Sequence, residues 1–124
     1  MTLQIFRYIG DYKNGQKDGQ GSCTYPNGSV HNGLYCNGVK SGLGTCTWAN
    51  GNVFSGMYVN DRMHGTGRFQ WASGHVYTGE FASDRRHGRG TLIFKNGRRQ
   101  KGHWNKGDFV AESDWGAADV GTIE

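Results

Sequence analysis

Histidine and aspartate side chains recur along this sequence and are the first candidates for chemistry. His64 and His87 lie 23 residues apart, and so do Asp61 and Asp84. Histidines are common zinc ligands, and a pair of carboxylates suits general acid/base catalysis. Each pair, however, keeps one spacing that many other residues also keep. This spacing indicates one position of a repeat, so we expect the histidines to stabilise turns and the aspartates to have no catalytic role.

Glycine pairs and cysteines suggest two further kinds of site. A Gly-x-Gly pair can cradle a phosphate when a helix begins directly after it, but after Gly19 and Gly21 the sequence reads as a strand. Cys23 and Cys46 are one repeat apart. In stacked hairpins this places them about 9.6 Å apart, beyond the roughly 7 Å that a disulfide allows between Cα atoms. Free thiols, structural glycines, no metal and no cofactor are therefore expected.

The repeat has a period of 23 residues and fixes both glycines and rings. One glycine column contains Gly10, Gly33, Gly56, Gly79 and Gly102. Two residues after it stand Tyr12, Tyr35, Tyr58, Phe81 and Trp104. A second ring column contains Tyr25, Trp48, Trp71 and Phe94. Glycine weakens a strand because it packs nothing, so we expect bare glycine backbone to be covered by the rings of a neighbouring strand.

Asn-Gly between extended stretches, as in "YPNGS" and "WANGN", predicts one hairpin per repeat. A two-residue turn would pair Tyr25 with Val30, whereas a three-residue loop would pair Tyr25 with Ser29. We favour the three-residue loop, since Pro26 suits its first position. That register also places every repeating column on one face of the sheet, and the other face is largely polar.

The segments "HGTGRFQWASGHVYTGEF" and "HGRGTLIFKNGRRQKGHW" resemble the MORN repeat, the membrane occupation and recognition nexus. The resemblance covers roughly residues 8–107, as a leading partial unit and four full units, with His31 and Gln100 replacing the usual ring. It implies scaffolding and dimerising roles in cytoskeletal, ciliary and membrane-junction proteins. Some MORN repeats were proposed to bind phospholipids, in plants beside a kinase domain that this sequence lacks.

The predicted fold is all-β, an elongated single-layer antiparallel sheet of stacked β-hairpins. Residues 1–107 form the hairpin array, and residues 108–124 form an acidic tail or cap. Within that tail, Val110 to Trp115 have the spacing of a short helix that could cap the last repeat. The alternative is a disordered tail, which its Gly and Ala content allows. Open edges at both ends of the sheet allow homo-oligomers.

Charge is distributed unevenly along the chain. Residues 1–107 contain 14 basic and 5 acidic side chains, a net charge of +9, and residues 108–124 carry −5. The basic candidates for contact with acidic lipid or an acidic partner are Arg85, Arg86, Arg89, Arg98, Arg99 and Lys101. Nucleic acid is disfavoured, because the rings follow repeat columns and do not alternate with these cations.

The sequence thus predicts a non-enzymatic adaptor whose aromatic groove binds a helical or extended segment of another protein. The alternative is attachment to anionic membrane lipids through the basic block. The start of the sequence lacks the pattern of a signal peptide, so a cytoplasmic location is expected, at the cytoskeleton, a cilium or the cytoplasmic face of a membrane. The groove candidates are Tyr12, Tyr25, Tyr35, Trp48, Phe54, Tyr58, Trp71, Tyr77, Phe81, Phe94 and Trp104.

Overall fold

A computed structural model describes residues 7–113, which form ten strands in one sheet. The strands are β1 (Arg7–Lys13), β2 (Gln16–Thr24), β3 (Val30–Cys36), β4 (Val39–Thr47), β5 (Val53–Val59), β6 (Arg62–Gln70), β7 (Val76–Ala82), β8 (Arg85–Ile93), β9 (Arg99–Asn105) and β10 (Asp108–Glu112). Each strand pairs antiparallel with the next one along the chain. This confirms the predicted all-β sheet of stacked hairpins. Within residues 7–113 no helix is long and apolar enough to cross a membrane.

The Asn-Gly loops have the three-residue form. The Tyr25 N–H donates to the Ser29 carbonyl, and the Gly28 N–H donates to the Tyr25 carbonyl, both at 2.9 Å. Gly28 has φ of 93°, a left-handed conformation that suits glycine. Cys23 consequently lies opposite His31 in the β2–β3 pair. The favoured register is confirmed, and it brings the repeating columns to one side of the sheet, called here the aromatic face.

Two-residue turns join the hairpins to one another at the opposite edge of the sheet. Both central residues have positive φ, as in Asn37 (50°) and Gly38 (88°), which is the pattern of a type I′ turn. Asp61 adopts φ of 70° where the earlier turns have glycine. Its Oδ1 accepts the Lys40 N–H at 2.8 Å. This bond offsets part of the cost of a left-handed non-glycine residue and anchors the turn to the first strand of the hairpin that precedes it.

Rings cover the paired glycines, as the sequence predicts. A Cβ added at Gly44 would lie 2.6 Å from His31 Cε1, and one added at Gly67 would lie 2.5 Å from Phe54 Cζ. Real Cβ atoms do not approach so closely, so neither position accepts a side chain without movement of the ring. A single-layer sheet has no second layer to pack against, and these ring-on-glycine contacts provide much of its core.

The C-terminal end of the described chain differs from the prediction. Residues 110–112 belong to β10, so the helix predicted from Val110 to Trp115 is wrong there, and its end beyond Ser113 lies outside the described residues. The Phe109 ring packs 5.1 Å from the Trp104 ring, measured between centroids. Strand pairing satisfies the β9 backbone and buries part of Phe109, which a helix starting at Val110 would not do as well.

Candidate binding cleft on the aromatic face

A cleft of about 650 Å³ opens on the aromatic face between the first and third full repeats. Its size is in the range of ligand pockets. It is lined by Tyr25, Pro26, Asn27, Ser29, Lys40, Cys46, Trp48, Tyr58, Asp61, Met63 and Asp84. The lining combines rings, one cation and two carboxylates, so the cleft can accept a segment that carries both apolar and charged groups.

Small side chains in one column create this cleft. The column reads Cys23 and Cys46 in the first two full units, then Phe69 and Leu92 in the next two. The Phe69 ring lies 5.4 Å from the Trp48 ring and 4.6 Å from the Trp71 ring, so it fills the space between them. A cysteine has no ring to reach that far. The volume above Cys46 therefore stays open.

A column of cations lies over the rings and was missed by sequence reasoning. Its members are Lys17, Lys40, Met63 and Arg86, each 23 residues after the last. Lys17 Nζ lies 5.2 Å from the Tyr35 ring centroid, Lys40 Nζ lies 5.6 Å from that of Tyr58, and Arg86 Cζ lies 4.7 Å from that of Trp104. These are cation–π distances. The 23-residue spacing of this column was visible in the sequence, but the uncharged Met63 interrupts the series of cations. The rings that the cations contact also come from other strands.

Arg86 is the most deeply packed of these cations. Its Nη2 donates to the Gly107 carbonyl at 2.8 Å, and its guanidinium also lies 5.5 Å from the Trp71 ring. Burial lowers the pKa of Arg86 below its usual range. Arg86 is therefore part of the packing of the last repeats and differs from an exposed lipid-binding cation.

The basic block predicted from the sequence does not form one surface. Arg86 and Arg98 lie over rings of the aromatic face, with Arg98 Cζ 4.7 Å from the Phe94 centroid. Arg89, Arg99 and Lys101 pair across β8 and β9 with His103, Ile93 and Thr91, in the register of the opposite, polar face. Arg85 is exposed at the start of β8.

The predicted groove residues fall into three groups by exposure. Six are buried within the core, namely Tyr35, Phe54, Tyr58, Tyr77, Phe81 and Trp104. Four are half-buried, one at each Asn-Gly hairpin or its equivalent: Tyr25, Trp48, Trp71 and Phe94. Tyr12 is 61% exposed on the edge strand β1. A partner can therefore reach the four half-buried rings, which we call the ring row, whereas most of the other candidates support them from below.

Two side chains of the cleft, Tyr58 and Cys46, are held in their neutral forms. Burial raises the pKa of the Tyr58 hydroxyl, and burial also raises the pKa of the Cys46 thiol. A neutral thiol is a poor nucleophile and a poor metal ligand. The arrangement is suited to packing and recognition.

The repeated histidines hold turns in place. The Ser83 N–H donates to His64 Nδ1 and the Lys106 N–H donates to His87 Nδ1, both at 3.3 Å. Each bond joins the first strand of a hairpin to the two-residue turn that follows the same hairpin, which confirms the turn-stabilising role predicted for both residues. Across residues 7–113, no group of three or more potential ligands is arranged to hold a metal ion.

The comparisons with known proteins agree with the repeat seen in the sequence. The family model described as "MORN repeat" matches four times, at residues 8–30, 32–53, 54–76 and 77–98. The matches run from β1 to the last Asn-Gly loop and leave out residue 31 alone. No curated protein matches the chain.

Proposed function

The chain belongs to the MORN-repeat family, and we propose that it is a non-enzymatic adaptor that binds a segment of a partner protein in the aromatic cleft. MORN repeats are in general modules for interaction with proteins or membranes. The partner segment would lie along the ring row, across the direction of the strands. Recognition would combine apolar contact with the rings and polar contact with Lys40 at the floor.

The cleft beside the ring row is the observation that carries this proposal. Trp48 is half-buried beside about 650 Å³ of open volume, and Tyr25 forms the opposite wall. Binding energy at interfaces is concentrated in such partly buried Trp and Tyr side chains. A rigid sheet also holds them in place before binding, which reduces the entropy lost on association.

Photo-crosslinking followed by affinity measurement tests the proposal. A photoreactive amino acid replaces Trp48 in one variant and Thr91, on the polar face, in a matched variant. We expect specific crosslinks from position 48 only. For the partner so identified, Trp48→Ala should weaken binding by about tenfold or more. Tyr12→Ala, which removes an exposed ring outside the cleft, should bind like the wild type.

Two results would contradict this function. One is a partner that crosslinks only from position 91. The other is a Trp48→Ala variant that keeps the wild-type melting curve and the wild-type affinity.

A second candidate function is attachment to an anionic membrane through the polar face. It is favoured by the placement of Arg89, Arg99 and Lys101 on the same face of β8 and β9. Replacing all three with Ser should abolish sedimentation with phosphatidylserine vesicles at low salt, and high salt should have the same effect on the wild type. Trp48→Ala should leave sedimentation with these vesicles at low salt unchanged. A wild type that ignores such vesicles at low salt would exclude this function.

A further inference from the structure

We propose that the occupant of the cleft is an acidic, proline-rich segment in the polyproline II conformation, with a carboxylate at every third residue. The inference rests on the proposed function and specifies the chemistry of the partner. Three observations carry it: the spacing of the repeats, the column of cations over the rings of the aromatic face, and the half-buried rings of the ring row.

Spacing decides between the possible conformations of a bound segment. Equivalent residues of successive repeats lie two strands apart, about 9.6 Å. Polyproline II has three residues per turn and rises about 9.3 Å per turn, so every third side chain faces the sheet in step with the repeat. Seven residues of helix rise about 10.5 Å, and two residues of strand rise about 6.6 Å. After three repeats the rise of the bound segment differs from the spacing of the repeats by about 1 Å for polyproline II, about 3 Å for a helix and about 9 Å for a strand.

Charge favours an acidic segment. Lys17, Lys40 and Arg86 occupy one column of the aromatic face and lie over rings. Residues 7–113 as a whole contain 14 basic and 7 acidic side chains, a net charge of +7. The field around the sheet therefore attracts an acidic segment and repels a basic one. Carboxylates at every third residue would meet Lys17 and Lys40 in register, whereas Arg86, which is bonded to the Gly107 carbonyl, would contribute through its charge alone.

Asp61 and Asp84 are the acidic groups at the edge of the same cleft, and both are already engaged by the backbone. Asp61 Oδ1 accepts the Lys40 N–H at 2.8 Å, and Asp84 Oδ1 accepts the Met63 N–H at 2.9 Å. Both lie in the two-residue turns at one margin of the sheet. Their charges border the cleft at that margin, where Lys40 is the one cation among the lining residues. Lys17 and Arg86 belong to the same column of the aromatic face but lie outside the cleft.

The rings provide the apolar part of the contact. Proline-rich segments in other domains dock in grooves lined with aromatic side chains, and their conformation is formed before binding. Tyr25 and Trp48 are half-buried walls of the cleft and offer ring surface of this kind.

Synthetic peptides test the inference on the whole chain, with binding followed by fluorescence anisotropy. The first peptide has about four Glu-Pro-Pro triplets. Its controls are the same length of Glu-Pro-Pro-Pro, which breaks the three-residue spacing, Lys-Pro-Pro, which reverses the charge, and an acidic helix with glutamate at every seventh residue. We expect the Glu-Pro-Pro peptide to bind at least fivefold more tightly than each control.

Variants locate the contact. Lys40→Gln should weaken binding of the Glu-Pro-Pro peptide about fivefold or more, whereas Met63→Lys should tighten it, because it completes the cation column opposite a fourth carboxylate. Lys13→Gln removes an exposed cation outside the cleft and should have no effect. Because Met63 packs against the buried cluster, each affinity is measured at a temperature below the melting transition of that variant, so that changes in affinity report contact alone.

Several outcomes would overturn the inference. They are absence of binding, equal binding of the Lys-Pro-Pro peptide, tighter binding of the acidic helix, or insensitivity to both Lys40→Gln and Met63→Lys. None of these touches the crosslinking test at position 48, so a partner that crosslinks there would keep the proposed function while excluding this partner chemistry.

Discussion

The first two full repeats and the last two share one backbone but differ in how their aromatic face is filled. In the last two, Phe69 and Leu92 pack between the rings, and the buried cluster there includes Tyr77 and Trp104. In the first two, Cys46 occupies the equivalent position and the cleft lies above it. The strand pairing is the same in both halves, including the pairs of opposed glycines.

This difference shows that the scaffold and the binding surface depend on separate columns of the repeat. Glycine and the rings above it maintain the sheet in every unit. The column that holds cysteine, phenylalanine or leucine decides whether the face is closed or open. Binding specificity can therefore change between repeats at little cost to the fold.

The largest loss of stability is expected from substitution of the opposed glycines, which both halves of the sheet share. Val at Gly79 would place Cβ 2.6 Å from the Arg89 carbonyl oxygen, and Val at Gly33 would place it 2.6 Å from that of Leu43. The obstructing atoms are backbone and cannot turn aside, so each variant should lose about 3 kcal/mol of unfolding free energy. Urea denaturation measures the loss, with the exposed-loop variant Ser73→Ala as control. If either valine variant is as stable as Ser73→Ala, the glycine account fails.

A smaller loss of stability is expected from removing the ring that fills the aromatic face in the third repeat. Phe69→Cys copies the first two repeats into the third and removes a ring that lies between Trp48 and Trp71. Because Phe69 is only partly buried, the loss should be about 2 kcal/mol, less than for a fully buried Phe. Thermal denaturation provides the measurement. An unchanged melting temperature would show that the ring contributes no packing energy.

His31 makes the first half sensitive to acid. It is fully buried, and neither of its ring nitrogens has a hydrogen-bond partner among the described residues. Burial, aided by the charge of Lys40, lowers its pKa to about 4 from an ordinary value near 6.5. Below pH 6.5 the unfolded chain binds a proton that the native chain does not, so stability falls as the pH drops from 6.5 towards 4.

His31→Phe should remove this part of the acid sensitivity. The difference in unfolding free energy between the variant and the wild type should grow by at most about 3 kcal/mol between pH 7 and pH 4. Phe is the residue that the second full repeat has at this position, as Phe54, so the variant should fold normally. Parallel curves of stability against pH would contradict the assignment.

The smallest effect is expected at the two-residue turns. Asp61→Gly restores the glycine of the earlier turns, which removes the cost of a left-handed aspartate but also removes the bond to the Lys40 N–H. The two changes oppose each other, and the net effect should stay within about 0.5 kcal/mol. A loss of more than about 1 kcal/mol in urea denaturation would show that the carboxylate is a principal link between hairpins.

Much of the fold follows from local sequence signals. The 23-residue period, the Asn-Gly loops and Pro26 were enough to predict the hairpins, their register and the covering of glycine by rings. These features depend on residues close in sequence or on one repeated column. The strand β10 was missed because its short stretch fits a helix as well as a strand, and pairing with β9 decides between them.

The site was predicted less completely, because it depends on contacts between repeats. The ring row was among the predicted groove residues, but so was Phe54, which is fully buried under its neighbours. Depth in a stack depends on the sizes of side chains one hairpin away. The same holds for Lys40, whose ring partner Tyr25 comes from the preceding hairpin and whose partner Tyr58 comes from the other strand of its own hairpin.

The open volume above Cys46 is the proposed binding site, and Cys46→Phe tests this proposal most directly. The substitution gives the second repeat the residue of the third and fills the cleft, so the affinity for the partner crosslinked at position 48 should fall at least tenfold. The melting temperature should stay equal to that of the wild type or rise, because the ring enters existing space. A Cys46→Phe variant that folds normally and binds that partner with wild-type affinity would show that the cleft is not the binding site.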